Sequence, residues 1–309
     1  MMQKQKPRLV ALYLPQFHRV KENDEWWGEG FTEWTNARKG RKWFGWHEQP
    51  HIPGELGYYD LLDASIRERQ AAMGREFGVA GFSYYHYWFE GKRLLERPFQ
   101  EVLASGSPDF PFCLCWANES WTGAWGGQER RILVEQTYSE QDHRIHATHL
   151  ATSLKDPRSI RVDDRPVFLV YRASRIPELA KAVKIWRDTW RDLDVGEVML
   201  ARVESGPLEM DDPRPFGFDA SMEFQPAWRD MGKPDNWIWR YANRLAGRRI
   251  PAVHGYADLV ERMLEREDPA WPRFPGITPM WDNTCRRNGR GLVLRGATPE
   301  LYGQWLSGC

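Results

Sequence analysis

Asn118 and Glu119 stand side by side between Trp116 and Trp121, directly after the apolar run Phe112–Cys115. That grouping suits sugar chemistry. Indole faces stack on the C–H faces of a pyranose, an amide orients hydroxyls, and a carboxyl group transfers protons. A carboxyl beside two indoles can have a raised pKa and act as a proton donor, so Glu119 is the expected catalytic residue. The structural alternatives are a carboxylate that accepts a substrate hydroxyl and one that pairs with an arginine.

The same residue types recur at the ends of other apolar runs. Gln16 and His18 follow Arg8–Leu14, while Tyr85, His86 and Trp88 follow Val79–Tyr84. Asn118 and Glu119 follow Pro111–Trp116, and Tyr171 with Arg172 closes Val167–Tyr171. Glu204 comes after Glu197–Ala201, Glu223 sits at the end of Phe218–Phe224, and Asp282 with Asn283 follows Gly276–Trp281. A random surface would scatter such residues. Strands whose C-terminal ends converge on one face gather them, as in a barrel of alternating strands and helices. Gln16, His18, Tyr85, His86, Trp88, Trp116, Asn118, Trp121, Trp281, Asp282 and Asn283 are therefore expected to bind the sugar. Glu33 and Trp34, in Phe31-Thr32-Glu33-Trp34, are expected to join them from a loop.

The elements needed to position these groups are legible. Helical spacing covers Asp60–Phe77, Lys92–Ala104, Glu140–Leu154, Ile176–Leu193, Tyr256–Arg266 and Pro299–Leu306, alternating with the seven strand candidates. Strands alternating with helices argue for a parallel sheet, and 309 residues suit a (β/α)8 barrel in a single domain, 1–309. Residues 19–58 form a long stretch rich in Gly, Pro and Trp, expected to be an ordered cap because its indoles need burial.

Composition narrows the function classes. Lys plus Arg and Asp plus Glu are 43 each, so no net field favours nucleic acid or an anionic membrane. No apolar run is long enough to span a bilayer, and Leu9–Leu14 is too short for a signal-peptide core, which suggests a cytoplasmic chain. Four cysteines make no disulfide framework. Cys113 and Cys115, two apart on one strand, face the same side as packing residues. No Gly-x-Gly-x-x-Gly follows the first strand, and no cofactor or metal is expected. His143, His146 and His149 recur every third residue, but ~100° per residue separates the first and third by ~240°, so a solvated helix is expected. Arg286, Arg287, Arg290 and Arg295 are either a solvated loop or a patch for the pyrophosphate of an activated sugar donor. The 17 Trp, with 14% aromatic residues overall, exceed what a core needs. Trp26, Trp27, Trp34, Trp88, Trp116, Trp121, Trp125 and Trp281 cluster at the ends of runs, as in carbohydrate clefts.

Tyr13-Leu14-Pro15-Gln16-Phe17-His18, Glu25-Trp26-Trp27-Gly28, Phe31-Thr32-Glu33-Trp34-Thr35-Asn36, Tyr84-Tyr85-His86-Tyr87-Trp88-Phe89, Cys115-Trp116-Ala117-Asn118-Glu119 and Trp281-Asp282-Asn283-Thr284 resemble the WbsX family. That family carries a glycosyltransferase name and is similar in fold to the family 99 glycoside hydrolases, the endo-α-mannosidases. The resemblance implies a carbohydrate-active enzyme of bacterial surface polysaccharides such as O-antigen, acting on an oligo- or polysaccharide by hydrolysis or transfer. It also implies a final strand ending in Asn-Glu-Trp-x-Glu-Gly, which in the related mannosidases supplies both catalytic carboxylates. The present chain reaches Cys309 in the seventh helix, so a barrel lacking its eighth strand is expected. A glycan-binding remnant without turnover is the remaining expectation.

Overall fold

The computed structural model describes residues 7–123, 128–227 and 229–309, with the side chains of 128–130 and the whole of Trp125 outside that description. Seven parallel strands lie side by side in chain order: β1 (Leu9–Tyr13), β2 (Val79–Phe89), β3 (Phe112–Trp116), β4 (Arg165–Val170), β5 (Met199–Glu204), β6 (Ala220–Glu223) and β7 (Arg273–Phe274). Among the described residues no strand joins β1 to β7. The fold is therefore a (β/α)8-type barrel lacking one strand, and Leu12 of β1 and Leu14 just after it are exposed beside the gap.

Side-chain alternation divides the sheet into two faces. On β3, Phe112, Leu114 and Trp116 join the outer cluster with Ala71 of helix α1 (Ala64–Glu76), Phe99 of helix α2 (Arg97–Ser105), Leu150 of helix α3 (Glu140–Lys155) and Trp186 and Trp190 of helix α4 (Leu179–Asp192). Cys113 and Cys115 face inward with Val167, Leu169, Met199 and Ala201. Both cysteines thus face the same side, into the barrel.

Several boundaries differ from the sequence reading. β2 runs on to Phe89 and turns at Glu90 and Gly91, both with positive φ, so Lys92–Leu94 pairs antiparallel with it. The helix expected from Lys92 therefore starts at Arg97, with Pro98 in its first turn. The seventh strand is not Gly276–Trp281. It is the two-residue β7, because Pro272, Pro275 and Pro279 remove ladder donors on either side. Leu292–Arg295 instead pairs in parallel with Ala252–Gly255, forming a separate two-stranded sheet. Between β6 and this small sheet lies the helix Trp237–Leu245.

The cap carries two short helices, Lys21–Trp27 and Glu33–Arg38. Asp282 fastens it down, accepting hydrogen bonds from His47 Nε2 at 2.8 Å and Gln49 Nε2 at 2.6 Å. No helix among the described residues is long and apolar enough to cross a membrane.

Candidate active site

A cleft of about 1460 Å³ opens at the C-terminal ends of β1–β3 under the cap and continues down the barrel interior along the free side of β1. Gln16, Glu33, Tyr85, Glu119, Trp121, Trp281 and Asn283 line it, so seven of the expected site residues share one cavity. Asn23, Trp27, Phe31, Tyr87 and Gln225 line it as well.

Glu33 is the most perturbed carboxyl group there. It opens the short helix Glu33–Arg38, whose N-cap Thr32 exchanges capping hydrogen bonds with Thr35, and this turn tucks its side chain beneath the cap. At 9% exposure, burial raises its pKa to about 7, against the opposing pull of Arg286. A carboxyl group poised near neutrality can both give and take a proton.

Glu119 has the opposite setting. Its side chain is 44% exposed, and Oε1 accepts from Arg172 Nε at 2.9 Å. This is the arginine pair left open by the sequence, and it suits a carboxylate that accepts hydroxyls more than one that gives up a proton. Glu223 also reaches the cleft, but it is tied 2.7 Å from Arg266 and receives the Gly276 N–H at 3.0 Å. Burial still raises its pKa.

Three polar atoms in the wall lack partners among the described residues, one of them Ser83 Oγ inside the barrel. Gln16 donates through Nε2 to Tyr87 Oη at 2.8 Å while its Oε1 is buried and unpaired, and the buried Nε1 of Trp281 is likewise unpaired. Buried polar atoms are seldom left so, and one acceptor and one donor suit a hydroxylated ligand. The rings of Tyr85, Tyr87, Trp121, Trp27 and Trp281 supply apolar faces around them.

The other expected site residues do structural work. Trp116 is fully buried on the outer face and donates through Nε1 to the Trp88 carbonyl at 3.2 Å. Trp88 points the same way and donates to Asp142 on α3 at 2.8 Å. His86 lies within β2 rather than after it, on the outward parity, with Nε2 2.9 Å from Nε2 of His146. His143 and His146 are thus buried against the sheet, which corrects the solvated-helix reading; His149 stacks on Trp88 at 5.2 Å. Asn118 is fully buried. Its amide clamps Arg172, donating to the carbonyl at 2.8 Å and accepting from the N–H at 2.7 Å, so it joins β3 to β4. His18 is buried outside the cleft wall, and burial lowers its pKa to about 4. Trp34 donates to the Tyr59 carbonyl at 2.7 Å and anchors the cap. Asp282 accepts hydrogen bonds from His47, Gln49 and the Thr284 hydroxyl.

The model of the family described as "Glycosyltransferase WbsX" matches residues 9–309. The uncharacterized protein WxcX of Xanthomonas campestris pv. campestris, strain B100, is 41% identical over 300 residues, covering 97% of this chain and 42% of the relative. The chain thus spans less than half the length of the curated relatives it matches. Among solved structures, the GH99 endo-alpha-mannosidase from Bacteroides thetaiotaomicron superposes with a TM-score of 0.56 at 13% identity, covering 97% of this chain and 81% of that one. A glycoside hydrolase-like protein gives a TM-score of 0.58 at 13% identity, covering 97% and 79%. These likenesses speak for the barrel. The family match runs from the first strand to the last residue, and the chain belongs to the WbsX glycosyltransferase family.

Proposed function

We propose that the cleft holds a saccharide chain and makes or breaks a glycosidic bond in the metabolism of a bacterial surface polysaccharide of the O-antigen type. Glu33 carries the proton to or from the glycosidic oxygen. Glu119, paired with Arg172, accepts a sugar hydroxyl or faces developing positive charge at the anomeric carbon. The observation that carries this reading is the pairing of environments in one cleft: one carboxyl raised to about 7 by burial, another ion-paired and partly exposed. Carboxyl groups set apart in this way divide acid and electrostatic roles in glycoside chemistry. The family's glycosyltransferase description and the mannosidase-like barrel support a carbohydrate substrate.

The test is turnover on bacterial surface polysaccharides, with and without a panel of nucleotide sugars, in the parent chain and in Glu33→Gln. Release of reducing ends without a donor supports hydrolysis, whereas strict dependence on a nucleotide sugar supports transfer. Glu33→Gln is expected to lower kcat by 10²–10⁴-fold, the usual contribution of a positioned acid or base. Binding without turnover in the parent chain would reduce the site to glycan recognition, and absence of both would remove the reading.

A further inference from the structure

One wall of the cleft is basic. Arg249, Arg286, Arg287 and Arg290 all line it, from two segments about forty residues apart. The parallel pairing of Ala252–Gly255 with Leu292–Arg295 sets residue 249 alongside residue 289. Gly289 makes the approach possible, because a Cβ there would collide with the Arg249 carbonyl oxygen. Arg295 does not belong to this group, since its guanidinium lies 4.9 Å over the Trp46 ring.

Among the described residues, none of the acids that face the same cavity pairs with Arg249 or Arg287. Glu119 is paired to Arg172, and Glu223 lies 2.7 Å from Arg266 and 3.3 Å from Arg273, none of these three arginines lining the cleft. Glu33 is poised near neutrality. Among the described residues no carboxylate lies within 4 Å of Arg249 or Arg287. Arg249 and Arg287 therefore present positive charge to the cavity beside indole and tyrosine faces. Guanidinium groups match the planar, bidentate geometry of carboxylates and phosphates.

We infer that the saccharide taken by this cleft carries an anionic group, a carboxylate or a phosphate, seated on the wall formed by Arg249 and Arg287. This rests on the reading of the cleft as a saccharide site. The anion belongs either to the glycan, as a uronic acid, or to an activated donor, as its diphosphate, and both ask the same chemistry of the arginines.

Binding to the full chain is followed by tryptophan fluorescence and calorimetry at low and moderate salt. The probes are a set of uronic-acid oligosaccharides, neutral mannose oligosaccharides of equal length, and uridine diphosphate sugars. The acidic probes of at least one source are expected to bind 10-fold or more tighter than neutral ones and to weaken with salt. Arg249→Ala/Arg287→Ala should erase that preference, with partial recovery in the double Lys variant if charge rather than fork geometry dominates. Preference for uronides places the anion in the glycan; preference for the diphosphate places it in a donor. Equal binding of neutral and acidic probes, unchanged in the double Ala variant, overturns the inference and leaves the saccharide reading standing. If no probe of any class binds, both are overturned.

Discussion

The Glu119 carboxylate and the Arg172 guanidinium meet at 2.9 Å across the ends of β3 and β4, and Asn118 clamps the Arg172 backbone from the next position. Glu119 is 44% exposed, so the pair contributes only about 0–1 kcal/mol to stability. Glu119→Gln is expected to leave Tm within a few degrees of the parent while weakening saccharide binding about tenfold. Asn118→Ala should behave oppositely, costing about 1–3 kcal/mol because the part-buried Arg172 N–H and C=O lose the partner that a fully buried amide supplies. Thermal melts and titrations on both variants check this; equal thermal loss in the two would be inconsistent with the arrangement.

Glu33 predicts a pH signature. Its pKa is raised from 4.5 to about 7 in the folded chain, so the folded state holds this proton more tightly than the unfolded one. Stability from this group is therefore lost as pH rises from about 4.5 to about 7, a displacement worth about 3 kcal/mol. Glu33→Gln should raise stability by about 1–3 kcal/mol at pH 8 and change it little at pH 4, even as turnover falls. Denaturant titrations at the two pH values measure the difference.

The buried pair His86 and His146 has the opposite sign. Burial, with His149 nearby, lowers the His86 pKa to about 3, so below about 6.5 the unfolded chain takes up protons that the folded pair refuses. Stability should fall on acidification through that window. Replacing both rings with apolar ones, His86→Phe with His146→Leu, is expected to flatten the acid limb, as read from melts between pH 4 and 7.

Asp282 ties the cap to the segment after β7. Burial works to raise its pKa, yet the hydrogen bonds from Gln49, Thr284 and His47 prevail and hold it below the usual carboxylate range. Asp282→Ala leaves those donors unpaired at a cost of about 1–3 kcal/mol and should expose residues 19–58 to limited proteolysis. Cleavage confined to the cap, with saccharide affinity reduced, is the expected result.

Trp116 and Trp121 separate core from cleft. Trp116→Ala should cost about 3–5 kcal/mol, since its indole is fully buried between sheet and helices. Trp121→Ala, from the cleft wall, should mainly weaken ligand binding. Melts and titrations of the two variants tell them apart.

Much of this protein was legible in the linear chain. Alternation of apolar runs with helical spacing announced the parallel barrel, because both periodicities are local consequences of backbone geometry. The residues gathered at strand ends placed Gln16, Tyr85, Glu119, Trp121 and Asn283 in one cleft. Strand parity carried more information than was read from it. The period of two that set Cys113 and Cys115 together also set Trp116 opposite them, and likewise turned His86 and Trp88 away from Tyr85 and Tyr87. The buried faces of His143 and His146 were also visible, in register with Ala147, Leu150 and Leu154 on α3.

What only the tertiary structure decided concerns surroundings rather than positions. The pKa of Glu33 depends on how deeply the cap buries it, and the cap is held by Asp282, some 250 residues away in sequence. Arg249 joins the arginines at 286–290 through a strand pair and a glycine contact that no local pattern records. Residue types and spacing are properties of a sequence. Desolvation and charge balance depend on which distant segments arrive beside them, and they are settled only when the chain has folded.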